Sequence, residues 1–228
     1  MRREPVALAA AVLAVLAPAG CGGGDRALRV AAASSLKTAF ERYDPHAHYS
    51  FAGSDQLAAQ IRAGARPDVY AAANTELPEE LHRAGLVQRP VVFARNRLVL
   101  ATRATRIRSL GDAARAGVKL AIGSPSVPAG AYARRALAKR PDAGRILRNV
   151  RSEEPDVAGV VGKVAGGAVD AGFVYLTDAR AARLRAIDTG TEATYAVAIV
   201  RRSELARRFV RGLLHGAGRR ALLEAGFR

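Results

Sequence analysis

The 228-residue sequence contains a single cysteine, Cys21, and no tryptophan. One cysteine cannot form an internal disulfide, and it excludes a metal site built from several thiolates. Aromatic residues make up only 5% of the chain, and acidic residues number 20 against 36 Lys and Arg. Long apolar runs are scarce as well, and the longest spans Val6–Ala17. This scarcity argues against a polytopic membrane protein.

The composition that remains is globular, with 50% hydrophobic and 25% charged residues, and it argues against an intrinsically disordered chain. The length allows one domain with a large core or two small lobes. The formal net charge of +16 favours an anionic partner. Nucleic acid, an acidic membrane surface and a small oxyanion all fit that charge, and composition alone does not choose among them.

The N-terminus has the pattern of a signal peptide. A basic start, Met1-Arg2-Arg3, precedes the apolar run Val6–Ala17. As a helix this run spans about 18 Å, which is too short for a bilayer core of about 30 Å. We therefore predict that residues 1–20 are a signal peptide.

The end of that peptide indicates where the mature chain begins. Ala19-Gly20 directly precedes Cys21 and resembles the lipobox of bacterial lipoproteins, although Pro18 occupies the position usually held by Leu. We predict that Cys21 is lipidated and that residues 21–26, which are glycine-rich, form a tether to the membrane. Secretion without lipidation is the alternative.

Beyond the tether, short apolar runs alternate with amphipathic stretches. Strands are predicted at Leu28–Ala33, His48–Ala52, Asp68–Ala72, within Val91–Thr102, and at Val118–Ile122, Ala171–Tyr175 and Tyr195–Val200. Helices are predicted from Ser35 and at Ser54–Arg62, Leu77–Arg83, Ser109–Ala114, Ala129–Lys139, Asp156–Ala165, Ser203–Leu214 and Arg219–Ala225. Strands separated by helices imply parallel sheets with right-handed crossovers. Because no linker divides the chain, two lobes would have to interweave.

Four predicted strand-to-helix turns share one chemical character. Ligands of such sheets bind beyond the carboxyl ends of the strands, where helix starts offer unpaired N–H donors and a positive dipole end to anions. The four turns present small residues there, and they are Ala33-Ser34-Ser35, Ala52-Gly53-Ser54, Ser126–Gly130 and Pro155-Asp156-Val157. The two serines Ser35 and Ser54 would add hydroxyl donors, but a serine at such a place also fits a simple helix N-cap.

Six sequence strings occur in the order and at the spacing typical of one family. They are Ala31–Leu36, Ser50–Ser54, Arg66–Asn74, Phe93–Leu100, Val127–Ala133 and Asp170–Ala179. From about Leu28 to Phe227 the chain thus resembles the molybdate-binding proteins of ABC importers, which are class II periplasmic solute-binding proteins. The resemblance implies an α/β, two-lobe periplasmic-binding-protein type II fold. Each lobe would be a mainly parallel sheet flanked by helices, with the ligand in the cleft between lobes.

The resemblance also implies domain boundaries, a site and a function. Lobe I would comprise residues 27–95 plus 196–228, and lobe II residues 96–195, with hinge motion between the strands Arg97–Ala101 and Tyr195–Ile199. Neutral donors would hold a tetrahedral oxyanion: the hydroxyls of Ser35, Ser54 and Tyr175 and the backbone N–H groups of Ala129 and Val157. The implied protein is a monomeric extracytoplasmic lipoprotein without a cofactor. It would capture molybdate or tungstate, or another tetrahedral oxyanion such as sulfate, and deliver it to an ABC permease.

Two departures from the family pattern bear on this site. Asp55 follows Ser54 where a small or hydroxyl residue is common, and a carboxylate there would repel a dianion unless it points outward. The segment between Leu36 and Ser50 is shorter than usual, which could loosen the wall behind Ser35.

Two other function classes fit the sequence poorly. Ser34-Ser35-Leu36-Lys37 matches the Ser-x-x-Lys pattern of penicillin-recognising enzymes, but the partner motifs of that pattern are missing. His46 and His48, predicted on one side of a strand, could touch a metal but lack a third ligand nearby. These gaps in the enzyme and metal motifs lead us to expect no catalysis. The basic residues are spread along the chain without interleaved aromatic residues, so we also expect no nucleic-acid binding.

Overall fold

The computed structural model describes residues 27–228, so the predicted signal peptide, the tether and Cys21 lie outside the described residues. Eight strands form one continuous sheet: β1 (Arg29–Ala33), β2 (His48–Ala52), β3 (Val69–Ala72), β4 (Val91–Thr102), β5 (Leu120–Gly123), β6 (Val150–Glu154), β7 (Ala171–Tyr175) and β8 (Arg185–Ile199). The helices are α1 (Lys37–Tyr43), α2 (Ser54–Arg62), α3 (Glu76–Arg83), α4 (Pro128–Ala138), α5 (Ala143–Arg148), α6 (Val157–Ala165), α7 (Leu176–Ala181), α8 (Glu204–His215) and α9 (Ala217–Ala225). Single 3-10 turns occupy Ser34–Leu36 and Gly111–Ala114.

The strand order is β2-β1-β3-β8-β4-β7-β5-β6. In the β1 half of the sheet, β1 pairs in parallel with β2 and β3, and in the β5 half, β5 pairs in parallel with β6 and β7. The three central pairs, β3–β8, β8–β4 and β4–β7, are antiparallel. The predicted two-lobe α/β fold, with a mainly parallel sheet in each half, is confirmed, and the antiparallel pairs lie at the centre of the sheet. Each of these pairs includes β4 or β8, the two strands that run through both halves, and none of them joins strands that are consecutive in the chain.

The two long strands β4 and β8 connect both halves. They pair from Val91 opposite Val197 to Thr102 opposite Arg185, with an irregularity between Leu98 and Val99. The segments predicted to form a hinge, Arg97–Ala101 and Tyr195–Ile199, do not pair with each other, because residues 97–101 lie opposite residues 186–192. The boundaries of the lobes, residues 27–95 plus 196–228 and residues 96–195, stay a prediction.

The structure contains several elements that the sequence analysis did not predict. Helix α5, strand β6, helix α7 and the first ten residues of β8 were not expected from periodicity. Strand β6 lies at the edge of the sheet, and its sequence Val150-Arg151-Ser152-Glu153-Glu154 has no apolar alternation, since neither of its faces is fully buried. His46 lies in the turn before β2, where its N–H donates to Asp44, and not on the strand as predicted.

Most of the few aromatic side chains form one connected cluster. Of the six Tyr and six Phe, all but Tyr70 and Phe173 belong to one continuous chain of ring contacts. Phe40 on α1 packs against Tyr49, and the Tyr49 hydroxyl donates to the Phe40 carbonyl oxygen at 2.8 Å. Phe40 also meets Phe209 edge-on, with ring centroids 5.4 Å apart. The shortened segment between Leu36 and Ser50 is therefore firmly packed.

Candidate functional site

A small cavity lies where the carboxyl ends of the β1 half and the β5 half face each other. Its cavity volume is about 10 Å³, which is close to the space that one water molecule needs. Its lining comprises Ala33, Ser34, Ser35, Ala52, Gly53, Ser54, Ala73, Val127, Pro128, Ala129, Asp156, Val157 and Tyr175. The structure thus brings together all five residues that the sequence predicted for the site. No Lys, Arg or His side chain belongs to the described lining, despite the basic net charge of the chain.

Three helices begin at this cavity. Ser54 opens α2, Pro128 opens α4 and Val157 opens α6. The first N–H groups of a helix have no partner within it, and the helix dipole is positive at this end. The Ala129 and Val157 N–H groups are of this kind, so both are available to a ligand that accepts hydrogen bonds.

Helix α4 reaches the cavity because of a glycine. A Cβ atom on Gly130 would lie 2.1 Å from the Gly123 carbonyl oxygen at the end of β5. Only glycine permits this approach of helix to strand. The sequence Val127-Pro128-Ala129-Gly130 therefore places the Ala129 N–H at the strand end.

Ser54 is held by two hydrogen bonds from β3 and the residue that follows it. Ser54 is 1% exposed, and its Oγ accepts a hydrogen bond from the Ala73 N–H at 3.1 Å. Its carbonyl oxygen accepts from the Tyr70 hydroxyl at 2.8 Å. Because a backbone N–H can only donate, the Ser54 hydroxyl hydrogen stays available for the cavity. Ser54 makes no N-cap bond, so simple capping does not describe it.

Ser35 lies in the 3-10 turn after β1, and it also makes no side-chain cap. Its buried Oγ lies 2.9 Å from the hydroxyl oxygen of Tyr195 on β8. Sequence analysis did not identify Tyr195 as part of the site, since 160 residues separate it from Ser35. Its place at the start of the predicted strand Tyr195–Val200 was the one signal for it.

Tyr175 ends β7 with its side chain buried at the cavity. The residue is 1% exposed, and its hydroxyl has no hydrogen-bond partner among residues 27–228. Burial, with a smaller contribution from the neighbouring Tyr195, raises the pKa of Tyr175 well above its usual value, so the hydroxyl keeps its hydrogen. A buried polar group left unpaired costs about 1–3 kcal/mol. A ligand that accepts this hydrogen bond would remove that cost.

The carboxylate of Asp55 is directed to the opposite wall and does not line the cavity. Its Oδ2 accepts a hydrogen bond from the Ser126 hydroxyl at 2.6 Å, and Ser126 belongs to the loop before α4 in the other half. The Oδ1 of Asp55 is buried and has no hydrogen-bond partner among the described residues. The Asp156 carboxylate is likewise engaged, because it accepts from the Gly159 N–H of its own helix at 2.8 Å.

A second contact joins the two halves at the cavity mouth. A Cβ atom on Gly53 would lie 2.4 Å from the Pro155 carbonyl oxygen. The two halves therefore touch on both sides of the Ser54 turn. This arrangement excludes solvent from the buried donors.

Asp178 lies beneath the site at the start of α7. Its carboxylate accepts from the Tyr175 N–H at 3.3 Å. Burial raises the pKa of Asp178 to about 7, the Tyr175 N–H lowers it, and the charge of Asp156 raises it further. This carboxyl group is therefore partly protonated at neutral pH.

The rest of the described chain does not bring the predicted site residues together in another cavity. A larger open groove lies at the amino ends of β1 and β2, lined among others by Arg29, His48 and Gln60, and none of the five predicted residues lines it. Within residues 27–228 no group of three or more His, Cys, Asp or Glu side chains is placed to hold a metal ion. None of the helices described there is both long and apolar enough to cross a membrane.

Comparison with known families decides the class of protein. Residues 28–228 match the family described as bacterial extracellular solute-binding protein. The chain belongs to this family. Members are solute-binding proteins, which agrees with a binding cavity and with the expectation of a non-enzymatic role.

Curated relatives of this family member confirm the resemblance found in the sequence. The chain described here is 36% identical over 232 aligned positions to the molybdate-binding protein ModA of Mycobacterium tuberculosis. The alignment covers 92% of this chain and 87% of the relative. The molybdate-binding protein ModA of Haemophilus influenzae is 29% identical over 197 positions, covering 78% of this chain and 77% of that relative.

Solved structures agree on the fold. The periplasmic molybdate-binding protein of Azotobacter vinelandii superposes with a TM-score of 0.74 at 22% identity, covering 88% of this chain and 98% of that one. The sulfate-binding protein SubI of Mycobacterium tuberculosis gives a TM-score of 0.72 at 16% identity, covering 89% and 87%. At these identities the likeness establishes the periplasmic-binding-protein type II fold and nothing finer.

Proposed function

We propose that this solute-binding protein captures molybdate or tungstate outside the cytoplasmic membrane and delivers it to an ABC permease. The observation that carries the proposal is the buried Tyr175 hydroxyl, which lacks a partner and lies beside the Ser54 hydroxyl and two helix starts in one cavity. The curated relatives named as molybdate-binding proteins support the same ligand.

The donors of the cavity explain how molybdate would be distinguished from phosphate. Molybdate near pH 7 carries no proton and only accepts hydrogen bonds, whereas phosphate carries at least one proton. The nearest carboxylates, Asp55 and Asp156, accept bonds from Ser126 and Gly159. The second Asp55 oxygen has no partner among residues 27–228, but Asp55 does not line the cavity and so does not offer that oxygen to a ligand there. Protonated phosphate would leave a buried group unsatisfied at about 1–3 kcal/mol, which corresponds to about ten- to hundredfold weaker binding.

Sulfate is the alternative ligand, because it too is unprotonated at neutral pH. The sulfate-binding neighbour shares the fold at only 16% identity, whereas a molybdate-binding relative reaches 36% over most of the chain. The balance of these comparisons favours molybdate.

Thermal unfolding of residues 22–228, which omit the predicted signal peptide and Cys21, tests the ligand. Molybdate and tungstate should raise the melting temperature, since a ligand at a thousand times its Kd stabilises by about 4 kcal/mol. Sulfate and phosphate at equal concentration are the controls. A shift with sulfate but with neither molybdate nor tungstate would assign the protein to sulfate, and no shift with any anion would contradict an oxyanion site.

We also propose that Cys21 anchors the mature protein to the membrane as a lipoprotein and that the protein acts as a monomer. The support is the position of Cys21 directly after Ala19-Gly20 at the end of the apolar run. In a bacterial host that processes lipoproteins, the unaltered chain should sediment with membranes, and Cys21→Ala should be released. Release of both forms would favour secretion without a lipid.

A further inference from the structure

The cavity is too small for an oxyanion to pass in or out while the two halves keep this arrangement. Its volume of about 10 Å³ is close to the space that one water molecule needs, and Ser54 and Tyr175 at its wall are each 1% exposed. A ligand of several heavy atoms therefore enters and leaves only when the halves separate. Contacts that join the halves across the cavity mouth must break before a bound ligand is released.

One such contact is a hydrogen bond between Asp55 and Ser126. Asp55 lies in the first turn of α2, where the positive end of the helix dipole favours a carboxylate. Ser126 lies in the loop between β5 and α4 of the other half, and its hydroxyl donates to the Asp55 Oδ2 at 2.6 Å. A hydrogen bond to a charged acceptor is about twice as strong as one between neutral groups.

The other oxygen of the same carboxylate carries a cost in this arrangement. The Asp55 Oδ1 is buried and has no partner among residues 27–228. It lies beside Gly53, because a Cβ atom placed on Gly53 would lie 2.7 Å from this oxygen and 2.4 Å from the Pro155 carbonyl oxygen. Closure therefore removes one Asp55 oxygen from water while it gives the other a donor, and the Ser126 bond offsets the desolvation of the charge.

We propose that the Asp55–Ser126 hydrogen bond is a latch that forms when the two halves close and that slows release of the bound oxyanion. The inference rests on the proposed function, because it assigns a retention role at the mouth of the same site. Neither side chain lines the cavity, so neither would touch the ligand. Asp55 and Ser126 are therefore positioning residues, and their effect belongs to the release rate.

Ser126→Ala tests the latch, because it removes the donor and leaves both Asp55 oxygens without a protein partner in the closed form. Release of molybdate should become about tenfold faster, which corresponds to about 1.4 kcal/mol. Labelled molybdate that is bound to the protein and chased with excess unlabelled molybdate gives the release rate. The rate of capture, obtained from the release rate and a calorimetric Kd, should not change, because the open form lacks the bond. Ser126→Thr keeps the hydroxyl and should restore slow release.

Asp55→Ala distinguishes the latch from a general effect of the charge. This variant loses the bond but also loses the buried oxygen that has no partner, so release should accelerate by about threefold or less. The double variant, Asp55→Ala with Ser126→Ala, should release molybdate at the rate of Asp55→Ala alone, because Ser126 then has no bond left to lose.

Ser152→Ala is the matched control. The Ser152 hydroxyl also donates to a carboxylate, that of Glu154, but both residues belong to β6 within one half. This variant should release molybdate at the rate of the unaltered protein.

The outcomes separate the latch from the proposed function. Unchanged release from Ser126→Ala, or effects of the two substitutions that simply add in the double variant, would overturn the latch and leave the proposed function intact. Failure of the unaltered protein to bind molybdate would overturn the proposed function itself.

Discussion

Removal of the Tyr175 hydroxyl should weaken molybdate binding without weakening the unliganded fold. Most buried hydroxyls contribute a hydrogen bond to stability, so Tyr→Phe at such places destabilises a protein. Tyr175 differs, because its buried hydroxyl has no partner within the described chain. Tyr175→Phe keeps the ring contacts with Tyr132 and Tyr195 and removes only the unpaired group.

The expected magnitudes follow from that geometry. A hydrogen bond to a charged acceptor contributes about 1.5–3 kcal/mol, so molybdate should bind about 10- to 150-fold more weakly to Tyr175→Phe. The free energy of unfolding without ligand should stay equal or rise, because no bond is lost.

Calorimetric titration with molybdate and urea unfolding without ligand measure the two quantities separately. Tyr49→Phe is the matched control, since the Tyr49 hydroxyl donates to the Phe40 and Asp44 carbonyl oxygens outside the cavity. That variant should lose about 1 kcal/mol of stability and keep its affinity for molybdate.

Two results would refute the reasoning. Unchanged molybdate affinity in Tyr175→Phe would show that the hydroxyl does not meet the ligand. A loss of unliganded stability similar to that of Tyr49→Phe would show that the Tyr175 hydroxyl has a partner in solution.

Two further variants test closure and pH dependence. Gly53→Ala should fold normally, because a φ of −60° suits any residue. Its added Cβ would block the contact between Gly53 and the Pro155 carbonyl oxygen, so molybdate should bind about tenfold more weakly or worse. Titration and X-ray scattering would show this, and wild-type affinity would contradict it. Asp178 has a raised pKa in the folded state, so its contribution to stability is complete below about pH 4 and is lost as the pH rises through about 7. Between pH 5 and 8 the unaltered protein should lose about 1–3 kcal/mol relative to Asp178→Asn in urea unfolding. Parallel pH profiles of the two proteins would contradict this.

The sequence alone determined where several helices and strands begin and end. Strands β2 and β7 and helix α2 begin and end where they were predicted. Strand β7 and helix α2 bury their apolar side chains, whereas β2 at the edge of the sheet keeps its residues partly or fully exposed. The small residues after β1, β2, β5 and β6 also located the cavity, since helix starts at strand ends follow from chain order in a sheet of this kind.

Edge and connecting elements depended on the tertiary structure. Strand β6 and the first part of β8 carry polar sequences, and only pairing with β5 and β4 makes them strands. No local pattern encodes such pairing, because its hydrogen bonds come from residues distant along the chain.

The direction of the hydrogen bonds in the site was likewise invisible in the sequence. The sequence identified Ser35, Ser54 and Tyr175 as hydroxyls near an anion, but a hydroxyl can donate or accept. Ala73 behind Ser54, Tyr195 behind Ser35 and the lack of a partner for Tyr175 exist only in the folded chain. Residue types therefore identified the hydroxyl groups of the site, and long-range packing decided which partners surround each of them.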